Sequence, residues 1–201
     1  YQLDTARSIT GCDGIVALMS GNYVQRGDFS VYPKQFRARA ALSGGADLIL
    51  ENPAMFTLRS AEGYAYSAVY TLNAFGCIDY LVFGAESDDL STLKNIAALL
   101  VDETNDYRSA LKTELSQGMS YAAARCKAIG KTLGETAEVI IKQPNNLLAV
   151  EYLKALIRLN SSIEPVLTRR RGAGHHSEKA SGETASASFI RSQLMSGTEI
   201  S

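Results

Sequence analysis

The sequence predicts an α/β fold in which a parallel sheet is flanked by helices. Three short apolar runs, at 14–19, 46–51 and 80–83, have the length and composition of buried strands. Longer segments with helical spacing of their apolar residues separate these runs, and glycine or proline stands at most boundaries. Strands that alternate with helices form parallel βαβ units. With 46% hydrophobic residues, the 201 residues are expected to make one domain, 1–201, around a substantial core.

The first elements follow from their boundary residues. A helix over 1–9 precedes the first strand, and a polar loop with two glycines, 20–28, follows that strand. The next helix covers 33–43, because Pro33 suits a first helical position and Gly44-Gly45 suits a helix end. A strand with such a loop at its carboxyl end is typical of an α/β ligand site.

The middle of the first half repeats this alternation. The second strand ends at Asn52-Pro53, and a helix over 60–75 follows, which stacks alanine, tyrosine, valine and leucine on one face and ends at Gly76. The third strand, 80–83, leads into a loop that begins at Gly84.

A helical insertion around 90–160 follows the third strand. Its predicted helices are 90–101, 105–117, 120–129 and 144–159, with Gly118, Gly130 and Gly134 between them. A further strand is expected at 163–167. A small, polar loop at 172–183 then precedes a last helix that begins near Ser188.

Charge is unevenly distributed although the formal net charge is only −1. Residues 79–118 carry eight acidic side chains against three basic ones, and 169–171 is a run of three arginines. Residues 21–45 carry one acid, Asp28, against four basic side chains, namely Arg26, Lys34, Arg37 and Arg39. This asymmetry favours an anionic ligand on one face, although ordinary surface clustering remains an alternative for the acidic stretch.

Several classes of protein are disfavoured. Cys12, Cys77 and Cys126 stand far apart, which gives neither a zinc site nor a disulfide framework and suits a cytoplasmic protein. No apolar run approaches the roughly 20 residues of a membrane span. The Gly-x-Ser-x-Gly and Walker motifs are absent from the sequence, and His175-His176 is more typical of an exposed loop than of a metal site.

Four loops are expected to meet at the ligand-binding edge of the sheet: 20–28, 84–89, 144–146, and 169–177 with the helix start at 186–191. There, Gly84 lets a base or ribose lie against the backbone, and Asn145 and Asn146 offer amide donors and acceptors. Arg170 and Arg191 can neutralise phosphates beside the positive end of the last helix.

Each of these candidates has a purely structural alternative. Gly84 can simply end its strand, and the Asn145-Asn146 pair can cap a helix over 147–159. Consecutive arginines often form a solvated surface, and 20–28 can be an ordinary connection between strand and helix.

Five sequence blocks occur in a fixed order along the chain. They are MSGNYVQRGD at 19–28, ADLILENP at 46–53, FGAES at 83–87, PNNLLAVEYL at 144–153 and SASFIR at 186–191. Together they resemble the bacterial tRNA(Met) cytidine acetate ligase family, whose members have a Rossmann-like nucleotidyltransferase (HUP-type) core. The resemblance runs from the first residue to about Arg191.

The resemblance implies an enzyme that activates acetate with ATP as acetyl-adenylate. The acetyl group then passes to the exocyclic amine of the wobble cytidine in elongator tRNA(Met), which gives N4-acetylcytidine. ATP, acetate and tRNA(Met) are the expected partners, and magnesium is expected with ATP. The positions that match ATP contacts are Gly84, Asn145, Asn146, Arg170, Arg171, Ser186, Ser188 and Arg191. Charge alone suggests tRNA or substrate contacts at Arg26, Lys34, Arg37 and Arg39.

The chain departs from the family pattern at both ends. The first strand and the His-x-Gly-His motif after it are expected before Tyr1, and a helical region is expected beyond Arg191. Those histidines would stabilise charge on the transferred α-phosphate, so no catalytic residue is assigned, and residues 1–201 alone are expected to be inactive.

Two other functions remain open at this point. An adenylyltransferase for a small phosphorylated metabolite would use the same sheet, although the basic segment 26–39 argues against it. A non-catalytic RNA-binding module is favoured if the histidine motif is missing from the gene.

Overall fold

The predicted α/β fold with parallel strands is confirmed. The computed structural model describes residues 2–25 and 27–169. Within them, four strands form two parallel pairs, β1 (Val16–Ser20) with β2 (Leu48–Asn52) and β3 (Tyr80–Ala85) with β4 (Glu164–Arg169). Ser20 lies opposite Asn52, and Gly84 lies opposite Thr168, so the carboxyl ends within each pair are aligned.

Helices α1 (Gln2–Thr10), α2 (Lys34–Ser43), α3 (Ala54–Thr57) and α4 (Ala61–Phe75) belong to the first half of the fold. The Ser60 side chain accepts a hydrogen bond from the Gly63 amide and so caps the start of α4. Gly76 ends that helix at φ +77°, a left-handed conformation that glycine adopts without steric cost.

The predicted helical insertion is present and provides most of the core. It consists of α5 (Leu90–Val101), α6 (Asn105–Ser116), α7 (Tyr121–Leu133), α8 (Glu135–Ile141) and α9 (Pro144–Arg158). The side chains of Asp89, Thr104 and Ser120 cap α5, α6 and α7. Among the largest fully buried side chains are Tyr107, Leu93, Ile96, Ile129, Val69 and Val150.

Three local predictions need correction. Pro33 is the N-cap of α2 and lies outside the helix, in an extended conformation with ψ 149°. Gly130 does not end α7 but lies inside it. Glycine fits this position because a Cβ there would come within 2.8 Å of the Glu138 Cβ on α8. Gly84 does not end β3, which continues to Ala85.

The helix predicted over 144–159 is confirmed as α9. The helix begins at Pro144, one residue after its N-cap Gln143. Asn145 and Asn146 therefore lie in the first turn and do not cap a helix over 147–159. The short helices α3 and α8 are not predicted from the sequence, and the helix expected near Ser188 lies outside the described residues.

A cleft separates the two pairs of strands. β1 and β3 are not hydrogen-bonded to each other, and a cavity of about 800 Å³ lies between them. Its walls include Val16–Leu18 of β1, Tyr80–Phe83 of β3, and Ala68, Leu72 and Tyr152 from α4 and α9. In the described part of the chain, no helix is long and apolar enough to cross a membrane.

Candidate functional site

Glu86 joins the end of β3 to the start of α9. Its carboxylate accepts hydrogen bonds from the backbone amides of Asn145 (3.2 Å) and Asn146 (2.8 Å) and from the Asn145 side chain. These amides belong to the first turn of α9, where backbone donors lack helical partners and a negative charge is favoured. The loop after β3 is thereby held against the helix start, although 60 residues separate them in sequence.

Asn146 completes this connection from the other side. Its Oδ1 accepts hydrogen bonds from the amides of Glu86 and Ser87, both at 2.9 Å, and its Nδ2 donates to the Ile140 carbonyl and the Gln143 side chain. The residue is fully buried. Each donor and acceptor of its amide is therefore engaged by the protein, and contact between this side chain and ATP stays a prediction.

The ionisation of Glu86 depends on the same contacts. Burial disfavours the charged carboxylate, but the hydrogen bonds from Asn145 and Asn146 outweigh burial and lower the pKa of Glu86 below its ordinary value. Glu86 is therefore a carboxylate at neutral pH that is committed to positioning, and it is poorly suited to proton transfer.

Gly84 lies beside this connection, near the carboxyl end of β3 in the β3–β4 pair. It is paired with Thr168, whose hydroxyl donates to the Phe83 carbonyl at 3.2 Å. Arg169 pairs with Ala85, and its guanidinium is 3.8 Å from the Asp88 carboxylate, with both side chains exposed. The first arginine of the triplet therefore emerges at the same edge as Gly84 and the start of α9.

A second group of polar side chains lies at the carboxyl ends of β1 and β2. Glu51 forms an ion pair with Lys34 at 2.6 Å, and its carboxylate fills the space beside Gly21. A Cβ at Gly21 would overlap that carboxylate, so a larger residue there would require the exposed Glu51 side chain to move. The side chain of Asn22 accepts a hydrogen bond from the Lys34 amide at 3.1 Å and caps α2 from a distance in sequence.

The basic residues of α2 have different roles in the structure. Arg37 donates to the carbonyls of Tyr32, Ser20 and Gly21, so its guanidinium holds the loop after β1 in place. Arg39 is exposed, and within the described ranges it forms no ion pair with an acidic side chain. The predicted RNA contacts at Lys34, Arg37 and Arg39 remain predictions, and Arg26 lies outside the described residues.

Two tyrosines lie between the halves of the sheet. The Tyr64 hydroxyl on α4 is 3.5 Å from the Ser20 Oγ at the end of β1. Burial, together with the nearby Tyr64 hydroxyl, raises the pKa of Tyr152 on α9 above its ordinary value. The Tyr152 phenol is therefore neutral at physiological pH, and the two tyrosines link the edge of β1 to the helix that packs behind β3.

Several predicted site residues lie outside the described residues: Arg170, Arg171, His175, His176, Ser186, Ser188 and Arg191. Among the residues that are described, no group of three His, Cys, Asp or Glu side chains could hold a metal ion.

Sequence reasoning misses the roles of Glu86 and Glu51. Both lie within the five sequence blocks, directly after or at the end of a strand. Their partners are distant in sequence, so only the strand-end position signals their importance.

The profile described as HIGH Nucleotidyl Transferase matches residues 1–201. The tRNA(Met) cytidine acetate ligase of Halothermothrix orenii is 43% identical over 200 residues, which cover 95% of this chain and 47% of that protein. The enzyme of the same name from Acetivibrio thermocellus is 42% identical over 203 residues, covering 100% of this chain and 49% of that protein. The chain thus spans about half the length of these curated relatives.

Solved structures agree with these relatives. Apo TmcAL of Thermotoga maritima superposes with a TM-score of 0.93 at 34% identity, covering 98% of this chain and 48% of that one. TmcAL of the same organism bound with alpha-thio ATP gives a TM-score of 0.87 at 32% identity, covering 98% of this chain and 47% of that one. These matches confirm both the Rossmann-like nucleotidyltransferase fold and the resemblance drawn from the five sequence blocks.

Proposed function

Because the chain belongs to the HIGH Nucleotidyl Transferase family, we propose that the full-length gene product is an ATP-dependent acetate ligase acting on tRNA. Its product would be N4-acetylcytidine at the wobble position of elongator tRNA(Met). The observation that carries this proposal is identity of 42–43%, across 95% or more of the chain, to proteins named tRNA(Met) cytidine acetate ligase. A cytoplasmic location is part of the same proposal.

The reaction has two steps. A carboxylate oxygen of acetate attacks the α-phosphorus of ATP, and the bond to the bridging oxygen breaks as pyrophosphate leaves. The cytidine amine then attacks the acetyl carbon of the mixed anhydride, AMP leaves with the electron pair, and the amine loses a proton. Such chemistry depends on positioning and on neutralising phosphate charge, with magnesium entering alongside ATP.

For ATP we propose the edge formed by β3, β4 and α9. The connection through Glu86 supports this site, because it holds the strand end that carries Gly84 against the helix start that carries Asn145. Arg169 emerges there, at the head of the arginine triplet. The predicted contacts at Arg170, Arg171, Ser186, Ser188 and Arg191 would complete the phosphate side of the site.

We further propose that a parallel strand of the full-length gene product occupies the cleft between β1 and β3. Both strands leave an edge unpaired toward that cleft, and apolar residues such as Leu18, Leu72 and Phe83 line it. Unpaired strand edges readily accept a further strand. The carboxyl end of the inserted strand would lie between the ATP edge and the Lys34–Glu51 pair, which is where a His-x-Gly-His motif would meet the α-phosphate.

The test uses the full-length gene product with acetate, ATP and unmodified tRNA(Met). We expect pyrophosphate exchange that requires acetate but not tRNA, and N4-acetylcytidine detected by mass spectrometry of digested tRNA. Omission of acetate is the matched control. Exchange without acetylation of any tRNA would favour an adenylyltransferase for a small metabolite, and tRNA binding without exchange would favour a non-catalytic module. Residues 1–201 alone should show no exchange.

A further inference from the structure

Exposed aromatic rings lie in the loop after β1 and in the first turn of α2. Phe29, Tyr32 and Phe36 are 70%, 44% and 56% exposed. The rings of Tyr32 and Phe36 stack with centroids 4.9 Å apart, and Phe29 packs on Tyr23 at 5.0 Å. We call Phe29, Tyr32 and Phe36 the aromatic surface. Soluble domains seldom expose several large rings together unless those rings bind something.

The backbone beneath the aromatic surface is well ordered by hydrogen bonds. Tyr23 and Phe29 form an antiparallel bridge, and the Ser30 amide donates to the Asn22 carbonyl at 2.8 Å. The Ser30 hydroxyl donates to the Tyr32 carbonyl at 2.9 Å. Arg37 holds the same Tyr32 carbonyl. The backbone that carries these rings is thus held by hydrogen bonds, which reduces the entropy lost on binding.

The charge of α2 identifies the kind of partner. The helix KQFRARAALS has three basic residues and no acidic one, and none of its residues is buried. A helix that packs on protein normally buries an apolar stripe. Lys34 is paired with Glu51 and Arg37 donates to backbone carbonyls, so Arg39 is the cation of this helix that is left for a ligand. Aromatic rings beside such a cation are a combination that binds unpaired nucleotides, because bases stack on the rings and a phosphate meets the cation.

The position of the surface relates it to the reaction. Lys34 reaches Glu51 near the end of β2, and Arg37 reaches the carbonyls of Ser20 and Gly21 at the end of β1. The aromatic surface therefore borders the same carboxyl edge as the proposed reaction centre.

We propose that unpaired nucleotides flanking the reacting cytidine stack on Phe29 and Phe36, with Arg39 contacting the adjoining phosphate. This inference rests on the proposed function and specifies how the single-stranded part of the substrate is held. It assigns recognition of the RNA loop to a surface on the side of β1 and α2, and not to the ATP edge formed by β3, β4 and α9.

The test measures the Kd of the full-length gene product for tRNA(Met) and for an anticodon stem-loop oligonucleotide. Phe36→Leu and Phe29→Leu keep an apolar side chain but remove the stacking ring, so each should raise the Kd about fivefold or more. Phe36→Trp should restore tight binding. Arg39→Gln should reduce the slope of log Kd against log salt concentration by about the amount expected for one lost phosphate contact.

The chain offers a matched control. Tyr66 and Tyr70 form an exposed, stacked pair on α4 with the same four-residue spacing, on a helix without basic residues. Tyr70→Leu should therefore leave the Kd for RNA unchanged. An equal loss in Tyr70→Leu would show that general hydrophobicity is responsible and would overturn the inference.

The remaining outcomes are also decisive. If Phe36→Leu binds RNA as tightly as the unsubstituted protein, the inference is wrong. If that variant instead loses thermal stability with an unchanged Kd, the surface is covered by protein. Acetate-dependent pyrophosphate exchange by the unsubstituted protein tests the proposed function separately, because it needs no RNA. Absence of all RNA binding would overturn both.

Discussion

Replacing Asn146 with alanine should cost more stability than any change of similar size on a helix surface. The substitution removes four hydrogen bonds at once: two backbone amides, of Glu86 and Ser87, lose their acceptor, and the Ile140 carbonyl and the Gln143 side chain lose their donor. Alanine cannot form any of these hydrogen bonds, and because Asn146 is fully buried, bulk water does not reach its position in the folded protein.

The expected magnitude follows from the number of groups left unpaired. A buried donor or acceptor without a partner costs about 1–3 kcal/mol. Two amides and one carbonyl, partly relieved by water at the half-buried loop and by the higher helix propensity of alanine, give a loss of about 3 kcal/mol in the free energy of unfolding.

Urea unfolding and amide hydrogen exchange of the full-length gene product measure this loss. The amides of Glu86 and Ser87 should exchange faster in Asn146→Ala. The matched control is Asn95→Ala on the exposed face of α5, which should change stability by no more than about 0.5 kcal/mol. A loss below about 1 kcal/mol in Asn146→Ala, or unchanged exchange at Ser87, would refute this account of the site.

Three further predictions concern single side chains. Hydrogen bonds lower the pKa of Glu86 in the folded protein, so its carboxylate stabilises the fold above its unfolded pKa of about 4.3, and this stabilisation is lost as the pH falls further. Glu86→Gln should therefore be less stable than the unsubstituted protein at pH 7 in urea unfolding. A stability difference that persists undiminished at about pH 3 would contradict this role of Glu86. The buried Tyr107 hydroxyl has no hydrogen-bond partner among the described residues, and burial raises its pKa to about 12. Tyr107→Phe should therefore stabilise the protein by about 1 kcal/mol in thermal unfolding. A loss of stability of that size would instead reveal a hydrogen-bond partner. Gly21→Ala would move the exposed Glu51 carboxylate and disturb its ion pair with Lys34, which should cost no more than about 1 kcal/mol. Gly14→Ala, whose Cβ would make only ordinary contact, should be close to neutral in the same assay.

The parts of the fold that the sequence predicts well are those with local causes. Ser60 and Gly76 bound α4 through a side-chain cap and a left-handed glycine, and both signals are legible from a few neighbouring residues. Gly130 shows the limit of such reasoning. Its neighbours suggest a helix end, yet the cause of the glycine is the Glu138 side chain on the next helix, which only the tertiary structure brings close.

The candidate site is predictable in outline and not in its internal connections. Position at the end of a strand or the start of a helix is enough to single out the loop at Gly84 and the pair Asn145-Asn146. The role of Glu86 depends on amides 59 and 60 residues away, so it cannot be read from sequence spacing. The sequence predicts an ATP contact at Asn146, which stays a prediction, but it does not reveal the hydrogen bonds that this amide makes within the protein.

The open edges of β1 and β3 also bear on the order in which the protein folds. The large buried side chains are concentrated in the helical insertion, whose contacts between successive helices are local in sequence and therefore form quickly. No residue of β1 is fully buried, and in β2 only Asn52 is. The helical part is thus expected to condense first, and the β1–β2 half to gain its cooperativity when a strand docks in the cleft. A nucleotide bound at the end of that strand would then stabilise both halves of the sheet at once.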